Sequence, residues 1–194
     1  MLKKNIGLFF GTFNPVHVGH MVIASYMAEF ANLDEVWMVV SPHNPFKEKA
    51  SLLDDYQRLY MVNLAIDNHP KLRASDIEFK LSRPSYTIHT LTHLKEKFPD
   101  YHFSLIMGSD NLQNIHKWKN YERILEISTL VVYPRPGFDG GDLKNHVSVK
   151  WVDAPLMQIS STFIRKALKE KKELNYIIPE KVLNYIKEMH FYEK

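Results

Sequence analysis

The 194-residue sequence contains no cysteine. That absence excludes disulfides and thiolate metal sites, and it fits an intracellular protein. No apolar run is long enough to span a bilayer. Met1-Leu2-Lys3-Lys4 leads straight into a strand-like run, without the apolar stretch and cleavage site of a signal peptide. Neither the Walker phosphate-binding pattern nor Gly-x-Gly-x-x-Gly occurs, so neither a P-loop NTPase nor a classical dinucleotide dehydrogenase is supported. Repeats, low-complexity segments and linkers are also missing. Charge of one sign is scarce: 25 Lys and Arg against 22 Asp and Glu leave a net +3. This mild excess suits anionic small molecules and falls short of the concentrated basic stripe of a nucleic-acid binder. The expectation is a cytoplasmic protein with a single domain over residues 1–194 and neither a nucleic-acid nor a membrane partner. Whether it works as a homo-oligomer is left open.

What is present is an alternation of apolar strands and helices. Asn5–Phe10 reads as a strand, followed by a helix from about Val18 to Ala31. Glu35–Val40 lacks polar alternation and reads as a buried strand. Asp54-Asp55 cap a helix with acidic residues in its first turn. Lys71–Leu81 is a third strand candidate, and a helix capped by Ser85 or a near neighbour follows. His102–Met107 and Thr129–Tyr133 are further strands, with a short helix over Asn120–Glu126 between them. Pro134–Asn145 reads as a loop and His146–Val152 as a last strand. Ile159–Arg165 opens a helix, and Pro179 begins the final one at a favoured first position. The pattern predicts an α/β protein: a doubly wound, mostly parallel sheet of five or six strands with helices on both faces. Ligands bind such sheets beyond the carboxyl ends of the strands. The motifs after residues 10, 40, 107 and 152 all fall there.

Gly11-Thr12-Phe13-Asn14-Pro15-Val16-His17-Val18-Gly19-His20 joins the first strand to its helix. A helix start offers unpaired N–H groups and the positive end of the dipole, which together make an anion site. Residues three apart share a face of the first turn, so His17 and His20 can reach one phosphate. Gly19 removes a side chain where a nucleotide would come close. The alternatives are a helix cap with ordinary surface histidines and a metal pair, the latter lacking a third ligand in the same turn. Donation to a phosphorus centre whose oxygens gain charge fits the pair better. Ile159-Ser160-Ser161-Thr162-Phe163-Ile164-Arg165 repeats the logic, with hydroxyls and N–H groups for phosphates and Arg165 one turn in as a cation. Its plain alternative is a Ser/Thr cap with a surface arginine. His89 and His93, four apart, have no adjacent glutamate or third ligand and read as exposed.

These two stretches resemble the paired signatures of adenylyltransferases in the T/HxGH nucleotidyltransferase superfamily. Pro84-Ser85-Tyr86-Thr87, Gly108-Ser109-Asp110 with Trp118 downstream, and Pro42-His43-Asn44-Pro45-Phe46-Lys47 resemble those of bacterial nicotinate mononucleotide adenylyltransferases. The likeness runs from about residue 5 to Tyr192. It implies adenylyl transfer from ATP to nicotinate mononucleotide with release of pyrophosphate, and Mg²⁺ bound with the ATP. It implies catalytic roles for His17, His20 and Arg165. Gly11, Thr12, Phe13, Gly19, Gly108, Asp110, Ile159, Ser160, Ser161 and Thr162 would then meet ATP. Asn14, Lys47, Ser85, Tyr86, Thr87 and Trp118 would meet the mononucleotide, with Trp118 stacked on the pyridine ring. Arg135 is a further candidate for nucleotide contact. Each has a plainer counterpart: Trp118 as core, Asp110 as a turn residue, Lys47 as a solvated loop tip.

The sequence departs from the commonest family pattern twice, with Asn14 where Asp is usual and Phe10 where a second glycine often stands. Both leave the preference between nicotinate and nicotinamide mononucleotide open. Other acceptors handled by the superfamily, such as phosphopantetheine or glycerol phosphate, are the nearest rivals. A nucleotide-binding module without catalysis is the rival from another class.

Overall fold

The computed structural model describes residues 4–42 and 52–193. Among these, six strands form one parallel sheet: β1 (Lys4–Gly11), β2 (Glu35–Val40), β3 (Leu72–Ser75), β4 (Tyr101–Gly108), β5 (Thr129–Tyr133) and β6 (Val149–Trp151). Their spatial order is β3-β2-β1-β4-β5-β6. The order reverses at β1, which pairs with both β2 and β4. In doubly wound sheets such a reversal opens a crevice beyond the strand ends, and here Gly11 and Gly108 flank it.

Side chains alternate across the sheet, so the strands feed two cores. Phe9, Ile106 and Val131 face one layer with Ile23, Met27, Met61, Ile164 and Val182. These come from α1 (Val18–Phe30), α2 (Asp55–Ile66), α6 (Ser161–Lys169) and α7 (Glu180–Glu188). Ile6, Leu8, Phe103, Leu105, Met107, Leu130 and Val132 face the other layer, with Ile88, Leu91, Leu94, Leu112 and Ile124. Those helical residues belong to α3 (Thr87–Lys97), α4 (Ser109–Gln113) and α5 (Tyr121–Ile127). Burial on both faces accounts for the unbroken apolar runs of β1, β2 and β4.

The two edge strands are shorter than the sequence suggests. Lys71–Leu81 pairs only over Leu72–Ser75 and then tightens into a 3₁₀ turn at Ile77–Lys80. His146–Val152 pairs only over Val149–Trp151. An edge strand has one neighbour and ends where that neighbour's ladder ends, which also limits its use as a template for other chains. The helix expected to be capped by Ser85 or a near neighbour has Tyr86 at its N-cap, with no side-chain cap, while the Ser85 hydroxyl donates to Glu78. Pro179 sits one position earlier than expected, as the N-cap of α7. The 134–145 stretch carries a short 3₁₀ turn at Gly141–Leu143.

Candidate active site

The junction between β1 and α1 is built around one aromatic ring. Phe13 adopts φ 45° and is buried, with its ring folded under the strand end. A Cβ on Gly11 would lie 2.8 Å from that ring, so only glycine fits there. The Phe13 ring meets His20 edge-on at 5.0 Å, and Phe9 flanks the imidazole at 6.2 Å. His17 stacks on the remaining side, with centroids 3.7 Å apart. The backbone N–H of His17 donates to His20 Nδ1 at 3.3 Å, which leaves the proton of a neutral His20 ring on Nε2.

His17 is the N-cap residue of α1 and only 4% exposed. Its side chain turns back toward the N–H of His20 as in a capping box, and among the described residues Nδ1 makes no closer hydrogen bond. Burial, reinforced by the positive charge of Arg135, lowers its pKa from 6.5 to about 4. The ring is therefore neutral at pH 7 and offers one N–H rather than a cation. Gly19 keeps space for it: a Cβ there would come within 3.1 Å of the imidazole.

The second motif docks onto the first. Ser160 caps α6, its hydroxyl accepting from the Phe163 N–H at 3.2 Å. Ser161 donates to the Pro15 carbonyl at 3.0 Å, and Arg165 Nη1 donates to the Asn14 carbonyl at 2.9 Å. Arg165 Nη2 donates to Thr162 Oγ1 at 3.3 Å. Two helix starts widely separated in sequence are thus bolted together beside the crevice. Ile159 completes the join, within 3.6 Å of where a Gly19 Cβ would lie.

Gly108, Asp110 and Arg135 line the β4–β5 side. Arg135 Nε lies 3.7 Å from Asp110 Oδ1, an oxygen that accepts no hydrogen bond among the described residues. Arg135 Nη1 donates to the Met157 carbonyl at 3.1 Å, and its backbone N–H donates to Ser109 Oγ at 2.9 Å. One arginine therefore joins the end of β5, the start of α4 and the approach to α6. A side chain on Gly108 would collide with both Asp110 and Arg135.

Sequence reasoning missed Arg58. Its side chain is fully buried and donates to the carbonyls of Leu53, Thr12, Ser41 and Pro42, and to Asp55. It holds the first motif against the exit of β2, with Asp55 as counterion and Arg83 bound to the other Asp55 oxygen at 2.8 Å. An arginine in a helix rich in polar residues reads as solvent-facing. Only the three remote carbonyls reveal it, and they leave no local signal. Asn14 is likewise buried: its Oδ1 accepts from the Leu53 N–H at 3.3 Å and from the Tyr192 hydroxyl at 2.7 Å.

The expected acceptor residues lie on the opposite side of β1. Ser85 precedes α3, Tyr86 is its N-cap and Thr87 its first residue. Trp118 is half-buried and packs on the same core layer as Tyr86. Neighbouring Lys119 sits over the Tyr86 ring at 4.6 Å, so the segments bearing Tyr86 and Trp118 adjoin. Lys47, with the rest of 43–51, lies outside the described residues. His89 is exposed against Tyr86. Among the described residues, no three His, Cys, Asp or Glu side chains cluster as a metal cage, and no helix is long and apolar enough to cross a membrane.

The cytidylyltransferase-like family pattern matches residues 8–167, which includes both motifs. A probable nicotinate-nucleotide adenylyltransferase of Flavobacterium psychrophilum is 57% identical over 191 residues, covering 97% of this chain and 99% of that protein. The chain belongs to the nicotinate-nucleotide adenylyltransferase family. A further member, from Bacteroides thetaiotaomicron, is 47% identical over 186 residues, or 96% of this chain and 92% of the other. Among solved structures, the Plasmodium falciparum nicotinic acid mononucleotide adenylyltransferase complexed with NaAD superposes with a TM-score of 0.82, covering 98% of both chains. At 24% identity that likeness is one of fold.

Proposed function

We propose that the chain transfers the adenylyl group of ATP to nicotinate mononucleotide, giving nicotinate adenine dinucleotide and pyrophosphate. The observation that supports this most is the bolting of the α6 start onto the 14–15 turn through Ser161 and Arg165. It brings two helix N-termini and two imidazoles to the crevice at the β1–β4 reversal, a site suited to a polyphosphate.

In this reading the mononucleotide's phosphate, already ionised near neutral pH, attacks the α-phosphorus in line and pyrophosphate leaves opposite. No general base and no covalent enzyme intermediate are needed, so catalysis is positioning and charge stabilisation. His17 and His20 lie at the α-phosphate, the two rings stacked on each other and held in place by their neighbours. Arg165 and the first-turn N–H groups of α6 hold the β- and γ-phosphates. Gly11, Gly19 and Gly108 let the backbone approach the nucleotide, and Asp110 meets the ATP-side ribose or the metal–nucleotide. Asp110 Oδ1, buried without a hydrogen-bond partner among the described residues, fits an outer contact to Mg²⁺ carried by the triphosphate, as this ion takes few protein ligands. A metal held there would supply charge neutralisation on the leaving pyrophosphate. Thr87 and Trp118 bound the pyridine pocket and Lys47 meets phosphate. The chain acts as one domain over residues 1–194 and works in the cytoplasm.

The test is pyrophosphate release from Mg·ATP with nicotinate mononucleotide, nicotinamide mononucleotide and phosphopantetheine side by side. A clear preference for the nicotinate compound is expected. Preference for phosphopantetheine would overturn the acceptor, and release with none of the three would overturn the activity. His20→Ala should lower kcat about 100-fold or more, the scale of a lost transition-state donor, while the protein stays folded. An unchanged turnover number would remove His20 from the chemistry.

A further inference from the structure

Glu78 is a buried carboxylate for which the reaction above has no use. It lies in the 3₁₀ turn after β3 and is 2% exposed. Its Oε1 accepts from Thr90 Oγ1 at 2.8 Å and its Oε2 from Ser85 Oγ at 3.3 Å. Burial holds its pKa above the ordinary carboxyl value, against the hydroxyls of Thr90, Ser41 and Ser85, which pull it down. Among the described residues no cation pairs with it. Its partners come from three separate segments. Ser41 is the first residue beyond β2, Ser85 lies in the loop before α3, and Thr90 is one turn inside α3.

Stability alone does not account for this arrangement. Burying a carboxyl carries a desolvation cost that a well-packed apolar side chain avoids. What the carboxyl adds is direction: its two oxygens can each accept a hydroxyl proton and fix the segments that carry them. The segments fixed here are the β2 exit, which leads into the stretch bearing Lys47, and the α3 start, which carries Ser85, Tyr86 and Thr87.

We infer that Glu78 is a positioning residue for the acceptor mononucleotide, holding the β2 exit and the α3 start at the spacing that the pyridine pocket needs. This rests on the acceptor reading of Ser85–Thr87 given above. Glu78 touches neither the reacting phosphates nor the His17–His20 pair, so its influence falls on acceptor affinity and not on the chemical step.

The experiment is steady-state kinetics of wild type, Glu78→Leu, Glu78→Gln and Thr90→Val, with KM measured separately for ATP and for nicotinate mononucleotide, alongside urea unfolding. Wild-type turnover of nicotinate mononucleotide is established first, so that failure of the acceptor reading shows itself before Glu78 is judged. Glu78→Leu should raise KM for the mononucleotide about tenfold while kcat and KM for ATP stay within about twofold. Glu78→Gln, which keeps one acceptor oxygen, should recover most of the loss. Thr90→Val, which removes the closest donor without changing shape, should give a smaller rise of the same kind. An unchanged mononucleotide KM in Glu78→Leu would overturn the inference, as would equal movement of both KM values and kcat. If Glu78→Leu does not fold, Glu78→Gln and Thr90→Val decide the matter by the same split.

Discussion

Replacing His17 by Gln should flatten the acid limb of the stability curve. In the native protein the His17 pKa lies at about 4, against 6.5 for the ordinary side chain. Above pH 6.5 neither state is protonated and His17 contributes no pH dependence. Between 6.5 and 4 the unfolded chain binds a proton that the folded chain refuses, so stability falls as pH falls. Below 4 both are protonated and the slope vanishes again. The gap corresponds to about 3 kcal/mol over the whole window, of which about 2 kcal/mol is lost between pH 7 and pH 5. Groups that titrate in both proteins cancel on subtraction. Urea unfolding of wild type and His17→Gln at pH 7 and pH 5 therefore isolates the imidazole. Wild type should lose about 2 kcal/mol more than the variant. A difference under about 0.5 kcal/mol would mean that His17 protonates freely in the folded state. The neutral-donor role would then be wrong.

Arg58→Met should cost about 3–5 kcal/mol in urea unfolding, because it leaves carbonyls and half of Asp55 buried without their donor. Arg58→Lys should not restore it, since an ammonium lacks the planar fork that reaches all five acceptors. Gly108→Ala drives a methyl into Asp110 and Arg135. The overpacking should cost about 1–3 kcal/mol and raise KM for ATP more than KM for the mononucleotide. Equal changes in the two KM values would separate Asp110 from the ATP side.

The central strands were legible because burial on both faces writes a continuous apolar run, as in Glu35-Val36-Trp37-Met38-Val39-Val40. The edges were not, since the length of β3 and β6 is set by partners and not by their own residues. The first turn of α2 was read correctly from Asp54, whose carboxylate does accept from the Tyr56 N–H at 2.9 Å. The start of α3 fell at Tyr86, the neighbour of Ser85, and the bond from Ser85 to Glu78 was not legible because Glu78 is ordinary in sequence. In the site, glycines and histidines at fixed spacing marked the first candidate turn, and hydroxyls with Arg165 marked the second. The bonds from Ser161 and Arg165 could not be read that way, because their acceptors are backbone carbonyls, which every residue carries. Arg58, Glu78 and the Asn14–Tyr192 bond escaped for the same reason: each is a polar side chain whose burial depends on distant chain.

The bond from Ser161 to Pro15 spans 146 residues. A ribosome adding about 5–20 residues each second needs roughly 7–30 s to cover that distance. Throughout that interval the two histidines are present in a chain that has no Arg165 and no α6 to meet them. The joining of the two helix starts is therefore a late event, possible only once residues 161–165 have emerged to meet the 14–15 turn.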